Sequence, residues 1–225
     1  MQRFFAGKDP KLVLFDLDGT LVDSVPDLAQ AIDRMLVEID RLPAGVEQVR
    51  NWVGNGAAVL VKRALSGTMD PAEELDGFDY AYALFLKFYA QATADKSELY
   101  SGVEQCLKTL QARGIQLGVV TNKPICFTET MLDGFSLSEY FQVVLGGDSL
   151  AQKKPQPEPL LSAMDACDAA PHNTLMVGDS STDVRAARAA GCPVVCVPYG
   201  YNHGEDIALA KPDLVIEDLS YLCSP

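Results

Sequence analysis

The chain has 225 residues, 48% of them hydrophobic and 22% charged, which is enough apolar side chain for a sizeable core and excludes disordered and fibrous classes. Its 18 basic and 31 acidic residues give a net charge of −13, with no block of Lys and Arg to track a phosphate backbone, so nucleic acid is excluded as a partner. No apolar stretch nears the ~18 residues of a spanning helix, and Met1 to Pro10 lacks the apolar run of a secretory signal, so a cytoplasmic protein without a membrane partner is expected. Six scattered cysteines (Cys106, Cys126, Cys167, Cys192, Cys196, Cys223) have no Cys-x-x-Cys spacing and read as reduced thiols; with only His172 and His203 beside them, a Cys/His metal site has no support.

In chain order, short apolar runs at 12–15, 115–120, 141–145, 174–177, 194–197 and 214–216 predict strands buried on both faces. Helical periodicity lies between most of them, as at 103–112, closed by Gly114, and 182–190, closed by Gly191. Alternating strands and helices predict an α/β fold, a Rossmann-like parallel sheet with helices on both sides. The alternation breaks between Ser24 and Ala94, where the pattern is helical at 27–38, 57–65 and 71–91. That insertion is far longer than the roughly dozen residues of a crossover. The expected division is a catalytic core of 1–23 and 95–225 and a helical unit of 24–94. Its joints are the polar, turn-prone stretches 23–26 and 93–101.

Four predicted strand ends carry polar residues: Asp16-Leu17-Asp18-Gly19-Thr20, Thr121-Asn122-Lys123, Gly147-Asp148 leading to Lys153-Lys154-Pro155, and Gly178-Asp179-Ser180-Ser181-Thr182-Asp183. Open parallel sheets bind ligands at the carboxyl ends of their strands, so these groups can converge. Asp16 and Asp18, two apart, would face the same side and repel unless a cation lay between them, and Mg2+ with oxygen ligands answers that need, with Asp179 as a further ligand. Carboxylates also serve as nucleophiles and proton carriers in phosphoryl transfer, which suggests attack by Asp16 and proton shuttling by Asp18. Gly19, Thr20, Thr121 and Asn122 would lie against the substrate, and Lys154 would supply positive charge to the phosphoryl group. Gly178 permits close approach, with Ser180 in support. Asp183 holds either the loop and the water shell of the metal or the N-terminus of the next helix. In the helical insertion, Gly54 and Gly56 flank Asn55 and would offer backbone N–H groups to a small anion. Arg50 could neutralise a carboxylate there, and Trp52, the single Trp, reads as a packing residue.

Taken together, Asp16-Leu17-Asp18-Gly19-Thr20, Thr121, Lys154 and Gly178 to Asp183 resemble, in order, the four motifs of the haloacid dehalogenase superfamily. The resemblance implies a Rossmann-like core with a C1 cap in the helical insertion, and an aspartyl-phosphate on Asp16. It also implies acid/base work by Asp18, phosphate contacts from Thr121 and Lys154, and Mg2+ held by Asp16, the Asp18 backbone carbonyl and Asp179. The acid at Asp18 sets the chain apart from the dehalogenases and cation-pumping ATPases, and Thr20 is more like the phosphatases than the β-phosphoglucomutases. The stretches from Asp16 to Pro26, Val49 to Gly56 and Pro198 to Asn202 resemble the bacterial phosphoglycolate phosphatase family within it, which implies hydrolysis of 2-phosphoglycolate. Other small phosphorylated metabolites remain open, among them N-acetylmuramic acid 6-phosphate and pyrophosphate, as does a phosphomutase. Gln156, between two prolines where an acidic or small residue is common, departs from the pattern and bears on local loop geometry. The pattern sets no oligomeric state, and cap motion hinged near Ser24 and near 93–101 is expected.

Overall fold

The computed structural model describes residues 1–223. Six strands form one parallel sheet in the order β5-β4-β1-β6-β7-β8. They are β1 (Leu12–Phe15), β4 (Gln116–Val120), β5 (Val143–Leu145), β6 (Thr174–Gly178), β7 (Val194–Cys196) and β8 (Leu214–Val215). The period-two alternation of β1 assigns its side chains to two cores. Val13 and Phe15 join Val119 and Val177 on one face, covered by α5 (Val103–Ala112) and α6 (Ile125–Gly134), while Leu12 and Leu14 meet α7 (Glu158–Ala166) and α8 (Ser181–Ala190) on the other. Both faces are therefore buried where the sheet is central. The runs at 141–145 and 214–216 depart from that expectation: β5 is only half-buried and Val215 is exposed, because these strands are the two edges of the sheet.

Between β1 and β4 the chain makes α1 (Val25–Glu38), α2 (Val46–Trp52), α3 (Ala57–Ser66) and α4 (Phe78–Ala90). Helix α1 starts with Val25 and Pro26 after Ser24, a position where proline gives up no intrahelical hydrogen bond. Its apolar stripe, Leu28, Ile32, Met35 and Leu36, packs against Val49, Trp52, Leu60 and Phe85 of the other three helices, so the insertion has an apolar core of its own. Trp52 is buried in that core. Two expectations change here. The helix expected at 71–91 begins only at Phe78, after Gly77 in a left-handed turn, and α2 was not foreseen because seven residues with only Val49 and Trp52 buried show little periodicity. No helix among the described residues is long and apolar enough to cross a membrane.

The two joints pair with each other. β2 (Val22–Asp23) and β3 (Glu98–Leu99) form a two-stranded antiparallel ribbon, which the polar sequence of 93–101 does not advertise. Asp27, near the start of α1 and almost fully buried, accepts hydrogen bonds from the Lys96 and Ser97 amides (3.0 and 2.8 Å) and the Ser97 hydroxyl (2.6 Å), tying the second joint to the first.

Candidate active site

The carboxyl ends of β1, β4 and β6 lie side by side in the middle of the sheet, so polar residues beyond each strand are brought to one edge. Asp16 follows β1 directly. Its Oδ1 accepts from the Leu17 amide (2.7 Å) and sits 3.0 Å from Lys154 Nζ, which also donates to Asp183 Oδ1 at 2.7 Å. The Lys154 side chain is 1% exposed, so the ion triad is nearly dry. Burial by itself would lower the Lys154 pKa, but the attraction of Asp16 and Asp183 outweighs it and the ammonium is held charged above its ordinary range. Burial raises the Asp16 carboxyl to about 7 and the Asp183 charge adds to this, with Lys154 acting against both.

Asp183 stands at the third position of α8. Its Oδ2 reaches back to the Ser180 amide (3.1 Å) and hydroxyl (2.7 Å), while its Oδ1 takes Lys154, so the helix-capping and loop-holding readings both apply to one side chain. Gly178 is the opening for it: a Cβ there would lie 2.4 Å from Asp183 Cγ. Gly178→Ala is expected to destabilise the protein by about 1–3 kcal/mol, read from urea unfolding, because Asp183 is enclosed and cannot swing aside.

Asp179 is buried and fully engaged at its rim. Oδ1 accepts from the Thr20 hydroxyl (2.7 Å) and Oδ2 from the Tyr201 amide (2.6 Å). Burial, then the charges of Asp183 and Asp16, push its pKa well up. Gly19, at φ +88°, leaves room for it, since a Cβ there would lie 2.3 Å from Asp179 Oδ2. Asp16, Asp179 and Asp183 each offer an oxygen within 4.8 Å of the others, a buried carboxylate set too crowded to stay ionised without positive charge. Its chemistry fits a hard cation with oxygen ligands.

The Asp18 side chain is not in that set. It turns to Lys123, whose Nζ lies 3.0 and 3.3 Å from its two oxygens, so only the backbone carbonyl of Asp18 is left for the metal role expected of this residue. The same ammonium donates to the Tyr89 hydroxyl from α4 (2.5 Å) and sits 4.7 Å from the Tyr89 ring centroid. Burial and then Lys123 and Asp18 act on Tyr89, and its pKa is raised to about 12; Lys123, lowered by burial but raised more by Asp18 and Tyr89, stays charged.

Asp16, Asp18, Thr121 and Asn122 line one cleft with Gly54 and Gly56, Lys123, and an apolar wall from the helical insertion. Three other expected contacts lie elsewhere, and Asn122, though in the lining, is turned to a bracing role. Thr20 is spent on Asp179. Asn122 donates to the Gly54 and Lys154 carbonyls (3.3 and 3.0 Å), so it braces two loops. Arg50 pairs with Asp23 (3.3 Å) and lies over the Tyr201 ring, because the ribbon brings a carboxylate nearer to it than the cleft is. Asn55 is outside the lining and offers its carbonyl to Lys153 (2.9 Å).

Three contributors had no role in the sequence reading, although Lys123 and the stretch from Pro198 to Asn202 stood in its motifs. Lys123 and Tyr89 meet only across the cleft, from α4 and the loop after β4. The loop after β7 is a fifth strand end: Tyr201 orients Asp179, Asn202 accepts from the Ser181 amide (2.9 Å), and Gly200 leaves space that a Cβ 2.3 Å from Asp179 Oδ2 would fill. The polar run after 194–197 was the available signal.

A Rossmann-like parallel sheet with a carboxylate cluster and a buried lysine at its central edge, and helices inserted after the first strand, defines a dehalogenase-like α/β hydrolase. The chain belongs to that family: the haloacid dehalogenase-like hydrolase model matches residues 13–197. It is 49% identical to a phosphoglycolate phosphatase of Pseudomonas putida, with 98% of this chain and 81% of that one aligned, and 46% identical to one from Nitrosococcus oceani over 94% of each. A crystal structure of a predicted phosphoglycolate phosphatase from Haemophilus somnus superposes with a TM-score of 0.89 at 39% identity, covering 95% of this chain and 96% of that one.

Proposed function

We propose that this protein is a Mg2+-dependent phosphatase that hydrolyses 2-phosphoglycolate to glycolate and phosphate through an aspartyl-phosphate on Asp16. The observation that carries the chemistry is the Lys154 bridge between Asp16 and Asp183, which holds one carboxylate at the cleft floor with its charge balanced from behind. The substrate rests on the two relatives of that name at 49% and 46% identity.

Asp16 attacks phosphorus, forming a carboxylate oxygen–phosphorus bond as the bond to the ester oxygen breaks. Asp18 gives its proton to the departing glycolate oxygen, then takes one from the water that attacks the aspartyl-phosphate and releases phosphate. Thr121 and Lys154 hold phosphoryl oxygens as charge shifts. Asp16, Asp179 and the Asp18 backbone carbonyl would hold Mg2+, with Asp183 behind them; when bound, the ion supplies the positive charge that lets a carboxylate approach a phosphate dianion. The helices of 24–94 act as a cap over the 1–23 and 95–225 core, excluding water during transfer and admitting it afterwards, with the joints at 23–26 and 93–101 as hinge. Six unbridged cysteines support a reducing, cytoplasmic setting.

The test is phosphate release from a panel of phosphate esters with Mg2+ and with chelator. Preference for 2-phosphoglycolate, lost with chelator and restored by Mg2+, is expected; a higher kcat/KM on a sugar phosphate or pyrophosphate would remove the substrate assignment. Asp18→Asn keeps an acceptor for Lys123 but no transferable proton, so it is expected to melt near the wild-type temperature with kcat lower by about 10²–10⁴-fold.

A further inference from the structure

We infer that Lys123 determines specificity by pairing with the substrate carboxylate, an inference that rests on the 2-phosphoglycolate reading. An acidic protein that binds an anion with a second negative group needs a cation for that group as well as for the phosphate. Among the described residues, Lys123 is the one basic side chain lining the cleft. The other cations nearby lie outside that lining, on other partners. Lys154 lies between Asp16 and Asp183, Arg50 is on Asp23, Arg63 donates to the Trp52 and Met69 carbonyls (2.6 and 2.9 Å), and Lys153 reaches the Asn55 carbonyl.

The covalent structure of the ligand supplies the distance argument. In 2-phosphoglycolate the carboxylate is bonded to the methylene that carries the ester oxygen, and Asp18 delivers its proton to that oxygen. A cation one hydrogen bond from Asp18, at 3.0 Å, is therefore close enough for the carboxylate to turn onto it. An ammonium has three N–H donors; one shared between the two Asp18 oxygens (3.0 and 3.3 Å) and one on Tyr89 leave the third for another acceptor. Lys123 is 4% exposed and faces a wall of Leu28, Leu60, Phe85 and Phe127, so water competes poorly for the pair. The helical insertion contributes through Tyr89 of α4, whose hydroxyl is the second partner of Nζ.

The experiment compares kcat/KM for 2-phosphoglycolate and ethyl phosphate, which has a methyl in place of the carboxylate, in the wild type, Lys123→Met and Lys153→Met. Lys123 also holds Asp18, so both substrates slow in Lys123→Met; the carboxylate contact is read in the ratio between them. That ratio is expected to fall by about 10–100-fold in Lys123→Met, the size of a lost charged hydrogen bond, and to stay within about twofold of wild type in Lys153→Met. Lys123→Arg, which keeps the charge, retains most of the preference, and Lys123→Gln replaces the Met variant if thermal melting shows that one unfolded. Equal slowing of both substrates in Lys123→Met, or collapse of the ratio in Lys153→Met, overturns the assignment. A wild-type enzyme that does not prefer 2-phosphoglycolate to ethyl phosphate overturns the substrate reading itself and removes the carboxylate from the site.

Discussion

Asp16→Asn is expected to abolish turnover and covalent phosphate together, lowering kcat by at least about 10⁴-fold while the chain stays folded. The amide oxygen can still accept from the Leu17 N–H, and Lys154 keeps its 2.7 Å bond to Asp183, so the floor of the cleft survives. What disappears is the anionic oxygen that forms the bond to phosphorus, and an amide is no substitute for it. The check pairs phosphate release with acid-quench trapping of labelled phosphoenzyme. Labelled enzyme in the variant would show that another residue carries the phosphate, and the mechanism on Asp16 would have to be dropped.

Lys154→Met should have the largest effect on stability. It removes the cation that lies between Asp16 and Asp183, one 13% exposed and the other not at all, and leaves two acidic groups buried together without it. Breaking a buried pair from one side costs about 3–5 kcal/mol, because the partner stays behind unpaired. Adding Asp183→Asn to the variant should recover part of the loss, since it removes one of the stranded charges. If a divalent cation occupies the carboxylate set, the loss is also smaller with Mg2+ present than with chelator. Urea unfolding of the two variants under both conditions measures this. An unchanged midpoint for Lys154→Met would mean that the triad is not ionised as described.

Both results depend on a site that was partly visible beforehand. The apolar runs around β1, β4, β6 and β7 stand out because central parallel strands are buried on both faces, and the polar residues just beyond three of them end up at one edge by the topology of the sheet. The edge strands β5 and β8 have the same composition and less burial, which depends on the neighbour a strand lacks. Arg50 looked free to meet a carboxylate from its local sequence alone. It was taken by Asp23, a partner 27 residues away brought close by the ribbon.

The sequence by itself determined the α/β class, the helical insertion after β1, the acidic strand ends around Asp16 and Asp179, and the lysine, Lys154, that would answer them, because each is written in local patterning or in short motifs; that Lys154 is buried is a finding of the structure. The tertiary structure alone decided which groups pair. Lys123 bridges Asp18 and Tyr89 across the cleft, Asp183 stands in the carboxylate cluster where the Asp18 side chain had been expected, and Thr20 and Tyr201 are spent on aiming Asp179. The physical reason is range: burial and periodicity act through neighbours a few residues apart, while a hydrogen bond or ion pair is set by distances of about 3 Å that exist only once distant segments have packed.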